Sequence, residues 1–235
     1  MEKKRRVLLK LSGEALADKA KGGYNLALVQ DIAKQVKENT DRGVEVGIVI
    51  GGGNIWRGRT GTEIDRTKSD QIGMLATVMN CIYVSEVFRS EGLATKIFTP
   101  FEVGSMTELF SKDKAVKALK RGKVCFFAGG TGHPYFSTDT GIVLRALELE
   151  VDEILLAKAV DGVYDSDPEK NPNAKKYDTV SIHEVVEKKL GVIDRTASVM
   201  CEENGVALAI FDLRQKDSIR NALNGEGIGT RVTKE

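Results

Sequence analysis

Val7-Leu8-Leu9-Lys10-Leu11-Ser12-Gly13 is a short apolar run that ends on a lysine, a leucine and a serine-glycine turn. The same grammar recurs along the chain. Val46–Ile50 runs into Gly51-Gly52-Gly53-Asn54, Thr95–Phe98 into a turn, and Val124–Phe127 into Gly129-Gly130-Thr131-Gly132, each ahead of a helical pattern; Ile154–Leu156 is a fifth run. Short, mostly β-branched or aromatic runs that alternate with helical patterns predict an α/β fold, with a mainly parallel central sheet flanked by helices on both faces.

Outward from these strands, Asn25 is placed to cap a helix that carries Val29, Ile32, Ala33 and Val36 on one face, with Gly43 at its exit. A longer helix is expected from about Ser69 to Glu91, with Ile72, Leu75, Met79 and Ile82 at helical spacing. It is apolar on more than one face, which marks it as buried or as a subunit contact. Ser137 or Thr138 begins another, with Ile142, Val143, Ala146 and Leu147 inward. Beyond Leu156 the turn-rich Asp161–Tyr164 and Asp165–Pro168, followed by a polar loop from Glu169 to Lys176, predict a hairpin on the sheet's edge. Helices near Ser181–Leu190, Thr196–Glu203 and Ser218–Leu223, and strands near Val206–Phe211 and Thr230–Thr233, complete the pattern.

The 235 residues contain no repeat or linker, so a single domain over 1–235 is expected. Basic and acidic residues nearly cancel, 35 against 34, which removes any global field for nucleic acid or an anionic membrane. An anionic ligand must therefore be captured locally. The basic start Met1–Arg6 is followed by too short an apolar run for a signal peptide, and no later stretch is expected to reach the ~20 apolar residues of a bilayer span. Cys81, Cys125 and Cys201 are an odd, widely spaced set that fits a reduced cytoplasm. His133 and His183 stand far apart with no ligand spacing, so no resident metal is expected.

Glycine turns at strand ends sit where open α/β sheets bind ligands. Their backbone N–H groups reach phosphate oxygens without a Cβ in the way. A tight strand-to-helix connection is the plainer account of any one such turn. Neither G-x-x-x-x-G-K-[ST] nor G-x-G-x-x-G is present, which disfavours a P-loop kinase and a Rossmann dehydrogenase. Lys10, ending a buried strand, is costly unless it meets an anion or reaches solvent. Arg57 is either a second cation or an exposed arginine.

Five stretches then carry a resemblance over nearly the whole length. They are Leu9–Leu16, Gly51–Asn54 with Arg57-Gly58, Gly73–Asn80, Gly130–Asp139, and Val160–Tyr164 with Asp167-Pro168. The chain resembles the bacterial UMP kinases of the amino acid kinase superfamily. The first and last stretches recur across that superfamily, whereas Gly73–Asn80 and the loop Thr131–Asp139 are particular to UMP kinases.

The resemblance implies transfer of the γ-phosphoryl group of Mg-ATP to UMP, giving UDP and ADP in pyrimidine nucleotide biosynthesis. It implies a UMP-binding part at roughly 1–150 and an ATP-binding part at roughly 151–235. Lys10, Leu11, Ser12, Gly13, Gly53, Arg57, Tyr164 and Asp167 would serve ATP. Gly52, Asp70, Thr131, Gly132, His133, Pro134, Tyr135, Phe136, Ser137 and Thr138 would hold UMP, with Asp70 on the ribose hydroxyls or serving only as an N-cap or first-turn acid of its helix. Lys10, Arg57 and Asp139 are the catalytic candidates; Asp139 either orients the lysines or a Mg²⁺-bound water, or merely caps its helix. His133 stands where many relatives have asparagine. Lys158 stands where some have threonine, with their basic residue one place later, and is expected near ATP. The resemblance also implies a cytoplasmic homohexamer with GTP and UTP as effectors, and Asp18–Tyr24 matches a stretch that some relatives use for GTP activation. A kinase acting on a carboxylate or carbamate, and a catalytically silent nucleotide-binding module, are the competing readings.

Overall fold

The computed structural model describes residues 4–18, 20, 22–57, 63–168 and 170–234. Gly58 of the Arg57-Gly58 piece, Glu169 at the start of the polar loop, Lys19 and Lys21 within Asp18–Tyr24, and the first three residues of the basic start lie outside the described residues. In chain order the elements are β1 (Arg6–Leu11), α1 (Gly13–Leu16), α2 (Leu26–Asp41), β2 (Glu45–Ile50), α3 (Arg66–Ser90), β3 (Thr95–Thr99), β4 (Glu108–Leu109), α4 (Lys112–Lys120), β5 (Val124–Phe127) and α5 (Thr138–Leu149). They continue with β6 (Glu153–Lys158), β7 (Val163–Tyr164), β8 (Lys176–Tyr177), β9 (Thr179–Ser181), α6 (Ile182–Glu187), α7 (Arg195–Asn204), β10 (Leu208–Asp212), α8 (Ser218–Asn224) and β11 (Thr230–Thr233).

Among the described residues, nine strands form one sheet in the order β4-β3-β5-β2-β1-β6-β10-β11-β9. Every neighbouring pair is parallel except β10 with β11. The alternation of side chains along each strand divides the core in two. Val7, Leu9 and Leu11 of β1 and Leu155 and Ala157 of β6 pack with α2, α3 and α8. Leu8 of β1 and Ile154 and Leu156 of β6 pack with α4, α5, α6 and α7 on the opposite face. Lys10 has the parity of Leu8 and so faces α5.

Three expectations need correction. The long helix starts at Arg66, because Asp65 accepts a hydrogen bond from the Lys68 N–H at 3.1 Å and caps it; Asp70 is therefore one turn inside and caps nothing. By length and composition α3 is long and apolar enough to cross a bilayer, contrary to expectation, but half of its most apolar stretch is buried against the protein, as in a core helix. Ile72, Leu75, Met79 and Ile82 are on its exposed side, while Ala76, Val78, Cys81, Val84 and Phe88 are the buried ones. Finally, β7 and β8 pair only with each other, since β11 and β9 already occupy that end of the sheet. The Val163 N–H donates to Thr230 Oγ1 at 2.9 Å and ties this small ribbon to β11.

Candidate active site

The order of the main sheet reverses at β1, with β2 on one side and β6 on the other. This is the switch point at which open α/β sheets form a ligand crevice, and the glycine turns meet there. Gly13 lies so close to the second turn that a Cβ on it would stand 2.3 Å from the Gly51 carbonyl oxygen and 2.3 Å from Asn54 Oδ1. Asn80, fully buried on α3, braces the pair: its Nδ2 donates to the Gly51 carbonyl at 2.7 Å and to Asn54 Oδ1 at 2.8 Å. Its Oδ1 accepts from Asn54 Nδ2 at 3.0 Å and from the Tyr24 hydroxyl at 2.6 Å. The third turn is held from two sides. Its Gly129 N–H donates to Thr77 Oγ1 of α3 at 2.8 Å, and a Cβ on Gly141 of α5 would come within 3.2 Å of Gly130 Cα.

Ser137 caps α5, its Oγ accepting from the N–H groups of Asp139 at 3.0 Å and Thr140 at 3.3 Å. The Asp139 carboxylate is thereby left for another task, and it forms an ion pair with Lys10, both side chains about one-fifth exposed. Its Oδ2 also accepts the Asp194 N–H at 3.3 Å. Asp194 in turn accepts from Ser137 Oγ and, at 3.3 Å, from Thr140 Oγ1, and it caps α7 through the Ala197 N–H at 3.0 Å. Lys158, at the end of β6, donates from Nζ to the Val192 carbonyl. Burial pulls the Lys158 ammonium below the usual lysine range; Asp139 opposes this and Lys10 adds to it.

Clefts open on both sides of this pair. One, of about 140 Å³, is lined by Gly52, Trp56, Asp70, Thr131, His133, Phe136, Ser137 and Thr138, among others. Asp70 accepts there from Arg66 Nε at 2.9 Å and from the Tyr135 N–H at 2.8 Å, so it fastens the Thr131–Asp139 loop to α3. Gly132, Pro134 and Tyr135 do not line this cleft; Tyr135 is exposed and held at a φ of 72°. Across Lys10, a cleft of about 750 Å³ is lined by Lys10, Ser12, Glu14, Leu156, Lys158 and Arg214, among others. An adjoining one of about 420 Å³ contains Tyr164, Asp167, Lys188 and Val192, and shares Lys158 and Val160 with the first.

Lys10, Ser12, Asp70, Thr131, His133, Phe136, Ser137, Thr138, Tyr164 and Asp167 are thus brought to the clefts. Leu11 is fully buried, Gly13 and Gly53 line none of these clefts, and exposed Arg57 pairs with Glu14 at the rim. Sequence reasoning assigned no role to Asn80, Asn54 or Asp194. An asparagine inside an otherwise apolar helix was a readable signal for Asn80, whereas the sequence analysis singled out nothing at Asp194.

An amino acid kinase family model matches residues 5–212. The solved UMP kinase of Bacillus anthracis is 36% identical, with a TM-score of 0.93 over 98% of this chain and 96% of that one. The UMP kinase of Ureaplasma parvum is 33% identical, also with a TM-score of 0.93, over 99% of this chain and 100% of that one. A uridylate kinase from Archaeoglobus fulgidus is 25% identical, with a TM-score of 0.73 over 97% of this chain and 99% of that one.

Proposed function

The chain belongs to the amino acid kinase family and is a kinase, and we propose that it transfers the γ-phosphoryl group of Mg-ATP to UMP, giving UDP and ADP. The observation that carries this reading is the Lys10–Asp139 pair, set among three converging glycine turns with a cleft on either side.

UMP occupies the smaller cleft, its uridine side toward Asp70 and the Thr131–Thr138 loop and its phosphate toward Gly52 and Lys10. A carboxylate suits a ribose diol because it accepts two hydrogen bonds. ATP occupies the larger clefts, its base and ribose near Tyr164 and Asp167 and its phosphates at Ser12, Gly13 and Gly53, with Arg57 at the rim. Phosphoryl transfer demands chiefly alignment and charge neutralisation. The phosphate of UMP, with a second pKa near ~6, is already an anionic nucleophile at neutral pH, so no general base is required. Lys10 neutralises the equatorial oxygens, and Asp139 holds Lys10 in place.

Mg²⁺ would arrive with ATP and screen its phosphate charge. It is commonly held by one or two carboxylates together with substrate phosphates. Asp139, whose Oδ2 faces the Asp194 N–H, supplies a carboxylate of that kind beside the donor cleft.

The same reading makes the chain one domain over 1–235, with UMP served roughly by 1–150 and ATP roughly by 151–235, and Lys10 and Ser12 at the seam. It extends to pyrimidine nucleotide biosynthesis in the cytoplasm and to a homohexamer with GTP and UTP as effectors. The exposed apolar residues Ile72, Leu75, Met79 and Ile82 of α3 support a subunit contact. A panel of UMP, CMP and AMP, assayed for ADP release from Mg-ATP, tests the acceptor. UMP alone should support rapid turnover; equal rates on all three would contradict a uracil-specific site.

A further inference from the structure

The Asn80 amide makes four hydrogen bonds: three are shared with Gly51 and Asn54 on the second glycine turn, and the fourth comes from the Tyr24 hydroxyl. A carbonyl only accepts, so Asn80 Nδ2 must face Gly51 and its Oδ1 must face Tyr24, which donates. The contact with Asn54 is reciprocal and would be satisfied with both amides reversed, so Gly51 and Tyr24 decide the orientation. Burial holds the Tyr24 phenol above its ordinary value, and the donated proton stays in place. Tyr24 is itself mounted from three sides. Its ring stacks on Tyr83 of α3, with centroids 3.9 Å apart and planes at 9°. Its backbone pairs with Ala17 in an antiparallel bridge, and the next residue, Asn25, caps α2 by accepting the Leu28 N–H at 3.1 Å. Ala17 lines the cleft of about 750 Å³, whereas Tyr24 lines none of the three clefts. A rigidly held hydroxyl, set back from the nucleotides, thus completes the brace at which the first two turns meet.

We propose that Tyr24 is a positioning residue for phosphoryl transfer: its hydroxyl locks the Asn80 amide and so fixes the spacing of the Gly13 turn against the Gly51–Asn54 turn. The inference rests on the two-nucleotide reading above, in which those turns align the phosphates of donor and acceptor. Tyr24 acts only through Asn80 and exchanges no proton in the step. Alignment is demanding, since a misplacement of ~1 Å can cost about 10²-fold in rate. Loss of one of four bonds loosens the brace without removing it, so the cost in rate is smaller. The same bond ties the Ala17 wall of the donor cleft to the crossing that separates the two nucleotides.

Tyr24→Phe and Tyr83→Phe test this. Both keep the stacked pair of rings, and only the first removes a hydrogen bond from Asn80. With the acceptor that wild type uses, and well below the melting temperature, Tyr24→Phe should lower kcat about tenfold, with KM for each nucleotide within about twofold. Tyr83→Phe should match wild type. A tyrosine that serves stability alone would lower Tm and leave kcat where it was. Amide hydrogen exchange in the nucleotide-free protein gives a readout independent of turnover. The Gly51 N–H, which donates to the Leu11 carbonyl at 3.0 Å, should exchange about fivefold faster in Tyr24→Phe and at the wild-type rate in Tyr83→Phe. Wild-type kcat in Tyr24→Phe, equal losses in both variants, or unchanged exchange at Gly51 would overturn the inference. Failure of wild type to phosphorylate UMP counts against the acceptor reading alone, and exchange at Gly51 still decides whether Tyr24 fixes the turns.

Discussion

Gly13→Ala probes the meeting of the first two turns. The new Cβ would stand 2.3 Å from the Gly51 carbonyl oxygen, 2.3 Å from Asn54 Oδ1 and 2.8 Å from Asn80 Nδ2. Gly13 has no positive φ and opens α1, so the backbone itself would tolerate alanine and even gain up to ~1 kcal/mol of helix propensity. Against that, overpacking costs about 1–3 kcal/mol. Displacing Asn80 from the Gly51 carbonyl costs a further ~1 kcal/mol. The net is about 2 kcal/mol of destabilisation, or a Tm lower by roughly 4–8 °C for a chain of this size. Gly73→Ala is the matched control, because a Cβ there meets nothing within 4 Å inside α3 and should leave stability equal or higher. Calorimetry on both variants, with UMP-dependent ADP release measured alongside, gives the comparison. A Gly13→Ala protein that melts within about 1 °C of wild type with unaltered turnover would mean that the two turns do not touch.

Lys10→Ala should lower kcat by about two orders of magnitude or more, as for loss of a transition-state cation; an unchanged kcat removes Lys10 from the chemistry. Asp70→Asn should raise KM for UMP by about tenfold with a smaller change in kcat, and steady-state kinetics showing only a kcat defect would argue against a ribose contact. Cys81, Cys125 and Cys201 are buried, and burial pushes each thiol up to about 12. Iodoacetamide at pH 8 should therefore label none rapidly in the native protein and all three after unfolding. His183 is raised above its ordinary value by its 2.7 Å hydrogen bond to Glu202. Its stabilisation is full below the unfolded pKa near ~6.5 and lost as pH rises through the higher folded value. His183→Ala should thus narrow the melting difference from wild type between pH 6 and pH 9, and a pH-independent difference would rule out the pair.

Strand positions and the crossing of glycine turns were legible because a buried parallel strand needs an unbroken apolar run and its exit needs glycine. Val124–Phe127 and Thr230–Thr233 fall on their strands to the residue. α4 was passed over although Ala115, Ala118 and Leu119 keep helical spacing among its lysines, whereas β4 has only two residues and no period to detect. The cap at Asp65 was hidden among other polar residues ahead of α3. Asp194 was the least legible of the site residues: its partners Ser137, Asp139 and Thr140 lie more than fifty positions away, and only the packing of α7 on α5 brings them together.

The stereochemical course at phosphorus tests most directly whether two nucleotides face one another across Lys10 and Asp139. With the γ-phosphoryl group of ATP made chiral by oxygen isotopes and passed to UMP, a single in-line displacement predicts UDP with inverted configuration. Retention would require an intermediate on the protein and would contradict a site built only to align and neutralise.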